Sequence, residues 1–367
     1  MYPPYVGILV NDNELRKIPL GTWKYEAIEH YEEAGKKYGF TPCFFRICDL
    51  RAGQKTVKAY VKQLEGYVRR KIPAPLVIHN RAIYLSKSQD RRLSSWVRDG
   101  RQLFNRWNRY GKLRIHQLML ENPSLHPHLP ATRRATPDGI ARLMKRFDSL
   151  IIKPNNSSIG RGVMRMDRTP TGWKLSYPIS FGPVNQKWRT VRWKGTRLPA
   201  VLRSRLRKET YIVQQRLPLA TFQGSPFDLR VSVQRTADGS WDVTGIVAKV
   251  ASKHTFVTNV AQGGTTYQLP LILQEEYAHL DPEEVVQRIY NFSILVASHL
   301  SDRLPHLADL GLDVGITTDG YPLFIECNGK DQRYSFREAG MLSEWIATYD
   351  NPMAYAKYLL DVCSGHV

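Results

Sequence analysis

Cysteine is scarce in this chain, and none of its four residues, Cys43, Cys48, Cys327 and Cys363, forms a CxxC pair. Reduced thiols in a cytoplasmic compartment are therefore expected. Long apolar runs are missing as well. No stretch approaches the roughly 18 residues that a membrane span needs, and no charged-then-apolar signal pattern is present, so no membrane role is expected. GxGxxG is absent, which argues against a dinucleotide fold of the usual kind. Acids are few: 33 Asp and Glu stand against 53 Lys and Arg, and residues 168–208 contain none.

The resulting charge of +20 is large enough to concentrate a polyanion near the protein, so acidic substrates and nucleic acid both stay open as partners. Residues 91–114 interleave arginines with Trp96, Phe104, Trp107 and Tyr110, a composition compatible with backbone contacts and base stacking. The ordinary alternative, here and over 168–208, is a solvated face whose arginine stems cover apolar surface. A chain of 367 residues, 42% of them hydrophobic, exceeds one core and can fill two or three.

Residues 5–10, 41–47 and 76–79 read as buried strands, with helices over 22–38, stopped by Gly39, and over 55–70. Alternating strands and helices predict a parallel sheet in an N-terminal α/β domain. A helix over 93–121 carries Lys112, and a short extended piece at 131–134 precedes a helix opened by Pro137 and Asp138. Residues 163–208 read as strands and turns with a basic insertion, and 211–217 as an apolar strand. Strict alternation over 227–235 puts Asp228 and Arg230 on one face and Leu229, Val231 and Val233 on the other. Residues 241–249 return antiparallel. An amphipathic helix over 283–304 has a core stripe of Val285, Ile289, Phe292, Val296 and Leu300. Residues 333–367 read as helices broken at Asn351-Pro352.

Two segments carry the chemistry. In residues 150–166, LIIKPNNSSIGRGVMRM, a strand delivers Lys153 to the mouth of a small-residue loop. Gly160 and Gly162 allow successive N–H groups to converge on an anion, with Ser157 and Ser158 adding hydroxyls and Lys153 a point charge. It is not a P-loop, because no Lys-Ser or Lys-Thr follows the last glycine; an ordinary hairpin connection is the plain alternative. In residues 311–328, two apolar runs flank Asp319-Gly320, the preferred pair for a two-residue hairpin turn. Counting back from that turn sets Asp313 opposite Glu326, with Cβ atoms about 5 Å apart, and Asn328 on the same face. Two carboxylates and an amide suit a hard cation such as Mg²⁺, held partly by substrate phosphates. The alternative is one protonated or hydrogen-bonded carboxylate and one exposed.

The order Lys112, Lys153 with its loop, Asp228-x-Arg230, Asp313 and Glu326-x-Asn328 resembles the ATP-grasp ligases over about residues 110–330. The wording LPATRRAT, YIVQQRLPL, FDLRVSVQ, FVTNVAQGG and LFIECN is similar to the YheC/YheD branch, associated with endospore coats. The resemblance implies an N-terminal α/β domain (1–92) and two α+β subdomains (93–210 and 211–367) enclosing ATP. It implies Lys112 and Lys153 at the phosphates, under a loop with Ser157, Ser158, Gly160 and Gly162. Gln214, Gln215, Arg216 and Leu217 would form the adenine hinge, and Asp228, Lys249 and Asn259 would help shape the nucleotide site. Arg230 would balance the transferring phosphate, and Asp313, Glu326 and Asn328 would hold Mg²⁺, with two ions expected. Three departures stand out: Gln214 and Gln215 replace a ribose-binding carboxylate, Lys249 replaces an arginine, and Asp331 replaces a proline.

The activity implied is ATP- and Mg²⁺-dependent joining of a carboxylate to an amine through an acyl phosphate, with no nucleophilic Ser, Cys or His required. The positive charge adds an acidic peptide or protein tail as the expected substrate. A spore-coat scaffold that binds nucleotide without ligation, and a nucleic-acid-binding module, are the alternatives from other classes.

Overall fold

The computed structural model describes residues 3–365 apart from 24–25, 52, 85, 158, 181–186, 254 and 305. Three six-stranded sheets follow one another along the chain. The first contains β1 (Tyr5–Leu9), β2 (Thr41–Phe45), β3 (Thr56–Gln63), β4 (Gly66–Pro73), β5 (Val77–Asn80) and β6 (Gln102–Phe104), in the order β4-β3-β2-β1-β5-β6. Strands β1, β2, β5 and β6 run parallel, as the alternating pattern predicts, and helices α1 (Asp12–Lys17), α2 (Ile28–Tyr38) and α3 (Lys87–Arg98) accompany them.

Three expectations fail here. The helix predicted over 55–70 is the antiparallel hairpin β3–β4. Its signal was period two, since Val57, Ala59 and Val61 are buried while Lys58 and Lys62 are exposed. Helix α2 starts at Ile28 rather than at residue 22, and α1 was missed. The long helix over 93–121 is instead α3, the edge strand β6 and α4 (Lys112–Met119). Gly100 takes φ +81 just beyond α3, a left-handed conformation that ends a helix at little cost to glycine, and buried Leu103 and Phe104 join the sheet.

The second sheet is antiparallel throughout. Strands β7 (Thr132–Arg134), β8 (Ser149–Pro154), β9 (Met164–Thr169), β10 (Gly172–Pro178), β11 (Trp188–Trp193) and β12 (Tyr211–Gln215) pair in the order β11-β10-β9-β8-β12-β7. Helices α5 (Pro137–Met144) and α6 (Ala200–Lys208) cover one face through Ile140, Leu143 and Leu202. The basic insertion is thus strand followed by helix.

The third sheet holds β13 (Thr221–Phe222), β14 (Ser225–Arg235), β15 (Trp241–Val250), β16 (Thr265–Gln268), β17 (Asp309–Ile316) and β18 (Pro322–Asn328), ordered β16-β15-β14-β17-β18 with β13 paired to β14. Helices α7 (Leu269–Glu276) and α8 (Pro282–Ser301) pack on it, and the whole predicted stripe of α8 is buried. Ile115, Leu118 and Met119 of α4 join that core. Strand β6 lies in the first sheet and β12 in the second, so the sheets divide the chain near residues 104 and 215.

Helices α9 (Tyr334–Glu338) and α10 (Leu342–Cys363) close the chain, and α10 passes through Pro352 without the expected break. A proline there removes the N–H that would bond the Thr348 carbonyl. Gln234 Nε2 of β14 donates to that carbonyl instead, at 2.9 Å. Among the described residues no helix is long and apolar enough to cross a membrane.

A buried charge cluster joins the first and third sheets. Arg81, just beyond β5, pairs with Glu26 at 2.9 Å and with Asp309 of β17 at 3.2 Å, and Arg333 reaches Asp309 at 2.7 Å. His79 completes it at 3.2 Å from Asp309, its imidazole pushed by burial to about 4 and therefore neutral near pH 7. Burial raises the Glu26 carboxyl, but Arg81, Lys330 and Arg333 outweigh it and hold the group at about 2. Such a carboxylate stabilises the fold above its ordinary 4.5, and that stability is lost as pH falls toward 2. Arg81→Ala is expected to cost about 3–5 kcal/mol in chemical denaturation, because it strands buried carboxylates. Glu26→Gln should flatten the acid limb of the stability-pH curve between about 4.5 and 2.

Candidate active site

The second and third sheets face each other across a cleft of about 460 Å³. Its centre is one row of side chains on neighbouring strands. Register sets Arg230 of β14 against Asp313 of β17, and Asp313 against Glu326 of β18. The predicted pairing of Asp313 with Glu326 is present, but the count that reached it was wrong in two places. The turn has three residues, Thr318, Asp319 and Gly320, between Thr317 and Tyr321, whose backbone groups bond at 3.1 Å. Gly320 takes φ +75, the left-handed position that a three-residue hairpin loop assigns to glycine. Ile325 is then left out of the ladder as a bulge, which restores the register at Asp313. Pro322 is tolerated because β18 is an edge strand.

Asp313 Oδ1 accepts from Lys249 Nζ at 2.7 Å and pairs with Arg230 Nη2 at 2.9 Å, and Oδ2 accepts from Asn328 Nδ2 at 3.2 Å. Burial would raise this carboxyl, but Arg230 and Lys249 win and hold it at about 2. Lys249 also pairs with Asp228 at 2.9 Å, and Thr258 donates to the other Asp228 oxygen. Burial raises Asp228 above the usual carboxylate range against the pull of Lys249. Arg230 Nη1 is held from behind by buried Asp331 at 3.1 Å. The departure from proline at Asp331 thus anchors this arginine, a role that its sequence position three residues past Asn328 did not reveal.

Lys112, the first residue of α4, points into the cleft with Nζ 2.9 Å from Glu326 and also donates to the Ser157 carbonyl. Lys153, next to last in β8, donates from Nζ to the Ile325 carbonyl at 3.2 Å. Burial, reinforced by Lys112 and opposed by Glu326, pushes the Lys153 ammonium down to about 8. Gly160 and Gly162 have φ +68 and +77, as the cradle requires. A Cβ on Gly160 would lie 2.7 Å from Val257 and from Gln262, so glycine there also permits the loop to touch residues 257–262 across the cleft. Gln262 donates to the Ile159 carbonyl at the same contact. Ser157 and Gly160 line the cleft, Gly162 does not, and Ser158 lies outside the described residues.

Gln214, Gln215, Arg216 and Leu217 line the far end. The Gln215 and Arg216 N–H groups bond the Ala131 and Ser149 carbonyls, at 2.9 and 3.0 Å, whereas the next N–H, that of Leu217, has no backbone partner among the described residues. Asn259 lines the cleft while its Oδ1 accepts from the Ala261 N–H at 2.9 Å. Sequence reasoning missed Arg109, which holds the Asn156 carbonyl of the loop, and Phe256, which packs on Trp188 of β11 at 4.9 Å between centroids. Neither carries a local signal, because each acts on a segment distant in sequence.

Among the described residues no group of three or more His, Cys, Asp or Glu could hold a metal alone. Asp313, Glu326 and Asn328 offer two carboxylates and one amide oxygen on one face. That partial set fits Mg²⁺, which commonly takes one or two carboxylates and completes its octahedron with water and substrate phosphate.

The architecture is that of the ATP-grasp fold. It is similar to the ATP-grasp ligase PsnB solved with a minimal precursor, at TM-score 0.51 and 15% identity over 95% of this chain and 100% of that one. It is also similar to the VanG D-Ala:D-Ser ligase of Enterococcus faecalis, at TM-score 0.52 and 12% identity over 98% of this chain and 100% of that one. The sequence narrows the class: residues 100–359 match the YheC/D-like ATP-grasp family, and the chain belongs to it. The endospore coat-associated protein YheD of Bacillus subtilis (strain 168) is 26% identical over 349 residues, 90% of this chain and 72% of that protein.

Because Lys153 titrates near 8, its charge is present below that pH and lost above it. ATP affinity of the free protein is expected to fall as pH rises through about 8, read by calorimetric titration, and Lys153→Arg should remove that dependence.

Proposed function

We propose that this cleft phosphorylates a carboxylate with ATP and joins it to an amine, as a Mg²⁺-dependent carboxylate–amine ligase. The observation that carries the reading is the meeting of Lys112, Lys153, Arg230, Asp313, Glu326 and Asn328 beside the 155–162 loop in one cleft. Lys112 and Lys153 take phosphate oxygens, exchanging Glu326 and a backbone carbonyl for the nucleotide. Gln214, Gln215, Arg216 and Leu217 bound the adenine, with Asp228, Lys249 and Asn259 shaping the phosphate end. Asp313, Glu326 and Asn328 hold Mg²⁺, which when bound neutralises charge on the phosphate oxygens.

Arg230, fixed by Asp313 and Asp331, faces the transferring phosphate and offsets the repulsion that an incoming carboxylate meets. A carboxylate oxygen attacks the γ-phosphorus and ADP leaves. The amine then attacks the acyl carbon, phosphate departs, and the amine proton is released. Alignment of the reacting groups contributes roughly 7–11 kcal/mol. The loop over residues 155–162 keeps water from the acyl phosphate.

An acidic peptide or protein tail as the carboxylate substrate is supported by the outer strands of the second sheet. Arg189 and Arg192 are exposed on β11, and Lys194 and Arg197 just beyond it. One row of that sheet, Thr190, Ser176, Arg165 and Ile151, runs from the edge strand to the cleft wall. Of the aromatics behind the nucleic-acid reading, Trp96 and Phe104 are buried and Trp107 packs against Tyr84, while Tyr110 lines the cleft. A nucleotide-binding coat component without ligation is the second reading, favoured by the coat association in the name of the YheD relative.

Incubation with ATP, Mg²⁺, acidic peptides and amino acids should release ADP only with certain pairs, with a condensation product in the mass spectrum. ATP binding with no ADP from any pair would favour the coat reading. Glu326→Gln and Asp313→Asn are each expected to reduce turnover by more than about a hundredfold, on the scale of losing transition-state charge stabilisation, in proteins that remain folded by circular dichroism. Unchanged turnover in both would remove these residues from the mechanism.

A further inference from the structure

The second sheet ends in two unlike edges. β7 is three residues long, a length that offers little to a pairing strand. β11 runs for six residues, Trp188–Trp193, and bonds only β10 among the described residues. The Ile179 N–H bonds the Lys187 carbonyl at 2.9 Å, and these two stand opposite each other in the register that sets Trp188 on Pro178. Alternation along an antiparallel pair then turns the backbone groups of Arg189, Val191 and Trp193 inward to β10. Pro178 agrees, because it has no N–H to give and faces Trp188 in a non-bonded pair. The N–H and C=O groups of Trp188, Thr190 and Arg192 therefore point away from the sheet, and no described residue bonds them.

Side chains sort this edge into two faces. Val191 and Trp193 pack on the core beneath α5 and α6, so Arg189 shares that face. Trp188 meets Phe256 on the cleft side, with Thr190 and Arg192. Arg189 and Arg192 are exposed, one on each face, and neither has a carboxylate partner among the described residues. Exposed Lys187 and Lys194 extend the positive charge at either end, within a span, residues 168–208, that contains no acid. Charge on an edge strand is the usual guard against pairing with another copy. A guard of one sign admits a strand of the other: a second β11 brings like charge to both faces, whereas an acidic strand meets opposite charge on both.

The partner is specified by what it opposes. Laid antiparallel, it needs an acid across from Arg192 and another across from Arg189, on opposite faces of the strand. Between them belong an apolar residue across from half-buried Val191 and a small polar one across from Thr190. Glu-Val-Thr-Glu, read from its amino end, meets that description. The row Thr190, Ser176, Arg165 and Ile151 leads from this edge to the cleft wall, a path of roughly 14 Å at the spacing of neighbouring strands. About five extended residues cover it.

We infer that the free edge of β11 is a docking site that takes an acidic peptide segment as a seventh, antiparallel strand of the second sheet. Main-chain hydrogen bonds hold the segment, and Arg189 and Arg192 select its charge. The docking does not rest on the ligase reading above. That the carboxylate to be phosphorylated lies about five residues beyond the docked segment does rest on it.

The test titrates the full chain with an end-blocked peptide containing Glu-Val-Thr-Glu, read by NMR with amide-resolved hydrogen exchange. The peptide should bind and slow exchange of the Trp188, Thr190 and Arg192 N–H groups, which are open in the free protein. N-methylation of its first Glu and its Thr removes the donors that face β11 and should weaken binding at least about tenfold, the scale of lost hydrogen bonds. N-methylation of the Val and the second Glu, whose N–H groups face outward, should leave binding intact. The Arg189→Glu, Arg192→Glu double variant should lose this peptide and gain its Lys-Val-Thr-Lys counterpart, with affinity for an ATP analogue and melting unchanged. Absence of binding overturns the inference, as does protection confined to other strands. Equal binding of the two methylated peptides also overturns it, since that is attraction by charge alone. The methylation pair is read on the parent protein and stands whether or not the double variant folds. Docking by these rules in a protein that never releases ADP would uphold the inference and remove the ligase reading; ligation of peptides that leave β11 unprotected would do the reverse.

Discussion

The cleft depends on one cross-strand row, Arg230, Asp313 and Glu326, in which a cation and two anions sit on three neighbouring strands. Like charges opposite each other on a sheet destabilise it, and a buried carboxylate needs partners. The fold meets both demands by surrounding the pair with cations. Arg230 and Lys249 engage Asp313, and Lys112 reaches across from α4 to Glu326. The cations proposed for phosphate and the anions proposed for metal are therefore each other's partners in the cleft. Under the proposed function a nucleotide with its metal would replace those pairs with equivalent charges.

The first sheet matters to that row through the buried cluster around Asp309. Asp309 opens β17, the strand that carries Asp313 four residues on. Arg81 and Arg333 fix that end of the strand against the N-terminal sheet and α10. The same Arg81 stands just beyond the carboxyl end of β5, so one arginine ties the strand that carries Asp313 to the first sheet.

Much of the site was legible because its residues follow local rules. Alternation in β14 placed Asp228 and Arg230 together, and glycines at 160 and 162 announced positive φ. The Asp313–Glu326 pair was reached through compensating errors, a turn one residue too short and an unseen bulge at Ile325. Hairpin counting thus tolerates one irregularity only when another cancels it. The failures share a cause. The 55–70 hairpin hid its alternation behind long basic side chains, and Pro352 is accommodated by Gln234, a residue 114 positions away. Asp331 on Arg230 and Arg109 on the Asn156 carbonyl are likewise long-range contacts that no local pattern encodes.

The central claim is that a carboxylate is activated by phosphorylation in this cleft. The most direct measurement uses an acidic peptide whose carboxylates carry ¹⁸O, turned over with ATP, Mg²⁺ and amino acids, with the released phosphate analysed by ³¹P NMR. The account predicts that ¹⁸O passes from the carboxylate into the released phosphate, because the acyl C–O bond breaks when the amine attacks. Phosphate released without label, its new oxygen drawn from water, would contradict it.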